Sequence, residues 1–191
     1  MIIVLEGIDN CGKTTITKML YSYFSEINKN VYISKELTTK VGIIIKEMIK
    51  DKGMSPLLKT YLFAADRQIR MEKIIKEVDK FDFIVMDRYV YSAIVYRKAE
   101  GLEGDWVKTV NKIFPKADMA FYIDITGKES IKRNTTKKFN IKYTEKFLEE
   151  VRNNYLYYCD INELIFVNGM QKIEDVYNII IHKIVQQLEK Q

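Results

Sequence analysis

The sequence predicts an α/β fold: a parallel five-stranded sheet wrapped by helices in one domain. Five short apolar runs, Ile2–Glu6, Val31–Ser34, Phe83–Asp87, Met119–Asp124 and Leu164–Val167, are rich in Ile, Val, Phe or Tyr. Most of them lack strict polar alternation, as strands covered on both faces do. Between them lie longer stretches at helical spacing, near 13–28, 41–51, 56–79, 89–114, 127–137, 143–161 and 172–189. Strands that alternate with helices build a parallel sheet with right-handed crossovers. Ligands of such sheets bind beyond the carboxyl ends of the strands, so the residues after each strand carry the functional reading.

The 191 residues can bury one substantial core. No repeat, low-complexity stretch or Pro/Gly-rich linker divides them, so residues 1–191 read as a single domain. The first run is apolar but has no basic segment before it and meets Glu6 at once, which marks a buried strand and not a signal peptide. No stretch approaches the roughly 18 apolar residues of a membrane span. Cys11 and Cys159 form neither a disulfide framework nor a CxxC pair, and a reducing, cytoplasmic setting is expected. The single histidine, His182, has no metal-ligand partner nearby and reads as a surface or packing residue. The net charge of +5 is local: between Lys128 and Lys142 six basic residues stand against one acid, Glu129. Such a segment suits a compact polyanion and argues against a broad nucleic-acid surface.

The first strand runs into Gly7-Ile8-Asp9-Asn10-Cys11-Gly12-Lys13-Thr14, a full match to GxxxxGK[ST] followed by Thr15. Backbone N–H groups must all turn inward around a phosphate here, and glycine permits the dihedrals required. The following helix points its positive end at the same anion. Residues Gly7 to Thr15 are therefore the expected ATP site, with Lys13 on the β- and γ-phosphates and Thr14 on Mg²⁺. The fold expectation sharpens to a P-loop NTPase type with a short lid. Asp9 reads either as a turn former or as a ligand of a sugar hydroxyl or metal. Cys11 is expected to face outward from the loop, where a helix N-terminus and Lys13 would lower its thiol pKa.

The third strand ends in Asp87-Arg88-Tyr89. Asp87 is placed for a metal or its water, and Arg88 for a bidentate grip on a phosphate; a simple Asp–Arg salt bridge is the other reading. Tyr89, Ser92 and Tyr96 share a helical face that suits either a nucleoside or packing against a neighbour. Upstream, Phe63 and Arg67 are four residues apart, so an aromatic plate and a planar donor could hold a base. The basic segment 128–142 is either a solvated helix face or a mobile lid whose cations close over the transferring phosphoryl group.

In order along nearly the whole chain, these motifs resemble thymidylate kinase. The resemblance covers Leu5-Glu6-Gly7-Ile8-Asp9 with Gly12-Lys13-Thr14-Thr15, Glu36-Leu37-Thr38 with Val41-Gly42, and Leu62-Phe63-Ala64-Ala65-Asp66-Arg67. It continues through Asp87-Arg88-Tyr89 with Ser92 and Tyr96, Ile123-Asp124, and Phe147-Leu148 with Val151-Arg152 and Tyr155. The resemblance implies transfer of the γ-phosphate of ATP to dTMP with Mg²⁺, for dTTP synthesis, in a homodimer. It implies Lys13, Arg88 and Arg133 as catalytic residues, and Asp9, Glu36, Phe63, Arg67, Arg88, Tyr89 and Tyr96 as acceptor-binding ones. Phe63 would stack on thymine, Arg67 would bond its O4, and Tyr96 would crowd out a 2′-hydroxyl. Thr14, Asp87 and Asp9 would serve the metal. The chain departs from the family pattern at Leu37, where the family has proline, at Ala93, at Arg97 in place of glutamine, at Asn10, and in a lysine-rich lid. Kinases of another nucleoside monophosphate or of a nucleoside, and a non-catalytic ATP-binding switch, are the alternatives.

Overall fold

A computed structural model describes residues 1–50, 54–134 and 143–190. Five strands, β1 (Ile2–Glu6), β2 (Val31–Lys35), β3 (Phe83–Asp87), β4 (Met119–Asp124) and β5 (Ile165–Asn168), form one sheet in the order β2-β3-β1-β4-β5. Every pairing is parallel. The central strands are buried throughout β3 and β4, which explains their unbroken apolar character. Among the described residues the helices are α1 (Lys13–Glu26), α2 (Lys40–Lys50), α3 (Pro56–Lys76), α4 (Val90–Ala99), α5 (Gly104–Val110), α6 (Gly127–Lys132), α7 (Glu145–Asp160) and α8 (Ile173–Leu188). None of them is long and apolar enough to cross a membrane.

Two boundaries differ from the sequence expectation. The helix expected over 89–114 is two helices, because α4 ends at Ala99 and Gly101 takes φ +93°, a conformation an L side chain rarely adopts. The helix expected over 56–79 ends at Lys76 and passes into a 3₁₀ turn at Val78–Lys80. Elsewhere the local chemistry is plain: Ser55, Thr126 and Thr144 each accept the N3 amide of the helix they start.

The strand order positions the site. β1 leads toward β2 on one side of the sheet, whereas its neighbour β3 leads toward β4 on the other. A crevice opens where these two connections diverge, at the carboxyl ends of β1 and β3. The register pairs Leu5 with Asp87, so the loop after β1 and the Asp87-Arg88 pair emerge side by side. Below them the two sheet faces are packed by aromatic stacks. Phe24 of α1 lies on Phe83 with ring centroids 3.9 Å apart, and Tyr155 of α7 lies on Tyr122 at 4.6 Å.

Glu6, the last residue of β1, is wholly buried. Its Oε1 accepts the backbone N–H groups of Tyr89 (3.0 Å) and Ser92 (3.2 Å), while Oε2 accepts the hydroxyls of Ser92 and Tyr155. These bonds fasten the start of α4 to the end of β1. Burial pushes the Glu6 carboxyl above its ordinary 4.5, against the pull of Ser92 and Arg88. A raised native pKa contributes stability that is fully present below the unfolded value and lost as pH rises through the native one. Glu6→Gln should therefore remove part of the loss of stability seen on going from pH 5 to pH 8, measured by urea denaturation. Glu6→Ala strands two buried N–H groups at about 1–3 kcal/mol each. It should be the far more destabilising change at both pH values, and equal stabilities for the two variants would refute this anchoring.

Candidate active site

The loop between β1 and α1 forms because its residues accept an unusual backbone. Gly7 has φ +144° and a Cβ there would lie 2.6 Å from both Cys11 Sγ and the Ile123 carbonyl. Gly12, at φ +107°, lets the chain turn into α1. Lys13 is buried, and its Nζ donates to the carbonyls of Gly7 (2.9 Å) and Ile8 (2.8 Å), so the ammonium is held over the loop. Cys11 overturns the outward placement. It is only 2% exposed, packs in the core under the loop, and its Sγ accepts from Lys13 Nζ at 3.3 Å. The thiol occupies space that a side chain at position 7 would need, so glycine there leaves room for it.

Arg88 follows β3 with φ +73°, a costly conformation for a non-glycine residue that persists only when its surroundings fix it. Its N–H continues the sheet by donating to Leu5 O (3.0 Å), and its side chain turns into the crevice. Nη1 donates to Ser92 Oγ (2.9 Å); Nη2 donates to the Asp9 carboxylate and Tyr96 Oη. Asp9 thus pairs with Arg88, not with the turn backbone. Asp87 does not pair with Arg88. Its Oδ2 accepts from Thr14 Oγ1 at 2.6 Å and lies 3.1 Å from Lys35 Nζ, which also donates to Thr14 Oγ1 at 2.9 Å. Burial would raise the Asp87 carboxyl, but Lys13, Lys35, the Thr14 hydroxyl and Arg88 outweigh it and hold it below 3.8. A hydroxyl and a carboxylate oxygen thus already gather a cation between the ends of β1 and β3.

One cavity of about 520 Å³ joins these groups. Asp9, Asn10, Gly12, Lys13, Thr14 and Thr15 line it from the phosphate loop, with Glu36, Phe63, Asp87, Arg88, Tyr96 and Arg133. Two expected acceptor contacts do not reach it. Arg67 is wholly buried and lies behind the wall, where Nη1 donates to Asn111 Oδ1 and Nη2 to Glu36 and the Tyr89 carbonyl; Nε has no hydrogen-bond partner among the described residues. Tyr89 is also buried, packed beside Phe114 and donating to the Pro115 carbonyl at 3.1 Å. The packing reading of Tyr89 is the one the geometry follows. Conversely, the cavity is lined by Lys35, Lys46, Lys59, Thr60, Ala93, Arg97 and Tyr143, none of which the motifs had placed as site residues. Lys35 ends β2, one residue beyond the run Val31–Ser34 that the sequence marks as a strand.

Leu37 explains its own departure from proline. It has φ +60°, and its N–H donates to Asp66 Oδ2 at 3.0 Å. Proline can supply neither. At the opposite end, Ser130 Oγ donates to the Asp9 carbonyl (2.7 Å), tying α6 to the phosphate loop. Arg133 reaches from α6 to Glu129 (2.8 Å) and to the Gly169 carbonyl (3.2 Å). The other expected lid cations, Lys137, Lys138 and Lys142, lie outside the described residues.

A phosphate loop and the half-buried Arg88 thus face one chamber. The family model for thymidylate kinase matches residues 5–180. The chain belongs to the thymidylate kinase family. It is 35% identical over 198 residues to a probable thymidylate kinase of Pyrococcus abyssi, covering 97% of this chain and 96% of that one. It is 38% identical over 176 residues to one of Sulfurisphaera tokodaii, covering 91% and 90%. Probable thymidylate kinase 1 of Saccharolobus solfataricus is 38% identical over 156 residues, with 81% of each chain covered. The family's reaction, ATP-dependent phosphorylation of dTMP, is the activity of this chain.

The thiol chemistry gives a direct check of the site as built. Cys11 is buried, and burial pushes the half-buried Cys159 thiol up to about 12. Both should react slowly with a disulfide reagent in the native enzyme at pH 8, and both should titrate at once in denaturant. Fast native labelling of Cys11 would place its thiol outside the core.

Proposed function

We propose that this cavity holds the two phosphate groups head to head, the donor on the loop and the acceptor on Arg88. The observation that carries it is the Asp9–Arg88 pair, which brings the end of β3 against the phosphate loop within one chamber. In this reading residues Gly7 to Thr15 cradle the ATP phosphates. Lys13 exchanges its loop carbonyls for phosphate oxygens. Arg88, held by Ser92 and Tyr96, grips the dTMP phosphate, and Asp9 keeps that guanidinium aimed while facing the sugar 3′-hydroxyl. Phe63 supplies the stacking face for thymine, Glu36 forms the adjacent wall, and Tyr96 excludes a 2′-hydroxyl.

The oxygen pair Thr14–Asp87 fits Mg²⁺. Mg²⁺ takes one or two protein oxygens and fills its octahedron with water and phosphate oxygens. Two such oxygens stand 2.6 Å apart here with an ammonium already beside them. Bound there, Mg²⁺ would neutralise donor-phosphate charge, and Asp9, already on Arg88, is left to the acceptor side. The acceptor phosphate is a ready nucleophile, so no strong general base is needed; positioning and charge neutralisation supply the acceleration. Arg133 and the lysines of segment 128–142 would complete the screen as a lid. We further read the enzyme as a cytoplasmic homodimer, with the exposed apolar residues Ile43, Ile44, Leu57, Leu58 and Tyr61 of α2 and α3 as the surface for the second copy.

A panel of acceptors tests the reading. With ATP, kcat/KM should be highest for dTMP, lower for dUMP, and much lower for UMP, dCMP and thymidine, which lacks the phosphate that Arg88 holds. Lys13→Ala should cost roughly a hundredfold or more in kcat with the fold intact, because a cation at the transition state is lost. Turnover of thymidine at the dTMP rate would overturn the role of Arg88.

A further inference from the structure

We propose that the Lys35 ammonium is a built-in placeholder on the Thr14–Asp87 oxygens: it refuses them to a bare divalent ion and yields them to one that arrives with nucleotide. The proposal rests on the reading of Thr14 and Asp87 as the Mg²⁺ oxygens. It names the residue that makes metal binding depend on nucleotide. Lys35 ends β2, and the register sets it beside Asp87 at the end of β3. Its Nζ lies 3.1 Å from Asp87 Oδ2 and donates to Thr14 Oγ1 at 2.9 Å. Those two oxygens are themselves 2.6 Å apart, so one ammonium touches both. A metal bonded to both at about 2.0–2.1 Å stands within about 5 Å of that ammonium wherever it lies around them. Unlike an ammonium at a distance, this one also occupies a lone pair that the metal needs on each oxygen. Two cations so close repel strongly, and they compete for one pair of oxygens.

The surroundings decide which partner moves. Asp87 is buried, and Thr14 belongs to the first turn of α1, so the oxygens are fixed. The Lys35 backbone is fixed too, by the β2–β3 ladder and by the Thr38 hydroxyl, which donates to its carbonyl at 2.8 Å. Its side chain, by contrast, is half exposed and ends in a compact charge on a flexible four-carbon stem. Lys13 could not play this part, because it is buried and its ammonium is held by the carbonyls of Gly7 and Ile8. Lys35 is therefore the cation that can leave. It also lines the cavity, so phosphates that enter there come within its reach. A bare ion offers the departing ammonium nothing in return for two oxygens. Nucleotide offers it phosphate oxygens, and the exchange then keeps both cations paired.

The test reads metal binding and needs no turnover: the electron paramagnetic resonance signal of free Mn²⁺ is followed as enzyme is added, with and without a non-hydrolysable ATP analogue. Without nucleotide, Lys35→Met should bind Mn²⁺ about tenfold or more tightly than wild type, the size of one lost charge–charge contact at a half-exposed site. A damaged fold does not produce a gain of affinity. Lys80→Met removes the same charge from a surface pair with Glu77 and should leave Mn²⁺ binding as in wild type. Lys35→Arg keeps the cation and should also remain weak. In the double variant Lys35→Met/Asp87→Asn the gain should vanish. The analogue should tighten Mn²⁺ binding more in wild type than in Lys35→Met, because only wild type has an ammonium to move. Unchanged or weaker Mn²⁺ binding by Lys35→Met, an equal gain in Lys80→Met, or a gain that survives Asp87→Asn would each overturn the proposal. Asp87→Asn alone separates the two readings. If it leaves Mn²⁺ binding with the analogue unchanged, the Thr14–Asp87 metal reading falls and this proposal with it. If it weakens that binding while Lys35→Met brings no gain, this proposal alone falls.

Discussion

The site depends on one buried carboxylate. Glu6 ends the central strand and receives the first amides of α4 together with the hydroxyls of Ser92 and Tyr155. Ser92 then accepts from Arg88, and Arg88 reaches Asp9 of the phosphate loop. A continuous polar chain therefore runs from β1 through α4 and back to the loop that follows β1. It stabilises the positive φ of Arg88, which an arginine would not adopt unassisted. Such a network is cooperative: each member orients the next, and removing one leaves buried groups unpaired.

Two cation–acid groups face each other across the chamber, one at Asp87 and one at Asp9. Asp87 lies among Lys13, Lys35 and Thr14 and stays ionised, and Asp9 lies on Arg88. In the proposed mechanism the acids hold cations where phosphates arrive, and the cations exchange partners on binding. Preorganised charge of this kind needs little reorganisation at the moment of transfer, which is where phosphoryl-transfer enzymes gain most. A second layer of buried pairs, Glu36 with Arg67 and Asp66 with Arg70, stiffens the wall behind the base end. Its function is positional.

Much of this was legible before any coordinates. The five strands, their order of appearance and the phosphate loop follow from periodicity and from a motif whose glycines have a steric reason. Phe63, Glu36, Arg88 and Tyr96 do line the cavity. What periodicity cannot give is the direction of a side chain on a helix buried on several faces. Arg67 and Tyr89 sit in the right sequence yet turn away from the cavity, because Glu36 and Asn111 capture one and Phe114 packs the other. Cys11 turns inward, into space left by the missing side chain of Gly7. Lys35, Arg97 and Tyr143 come to the site from separate elements, and only the tertiary fold brings them together. Leu37 is a departure in sequence that becomes a requirement once its positive φ and its N–H bond to Asp66 are seen.

In the proposed mechanism Ser92 transmits the hold of Glu6 to Arg88, so that Ser92 and Arg88 act as one unit on the acceptor phosphate. A double-mutant cycle of Ser92→Ala and Arg88→Met measures this directly, with the ratio of the dTMP and thymidine dissociation constants as readout. The ratio isolates the phosphate. The expected coupling is about 1 kcal/mol or more, with the double variant scarcely worse than Arg88→Met alone. Strictly additive effects would contradict it.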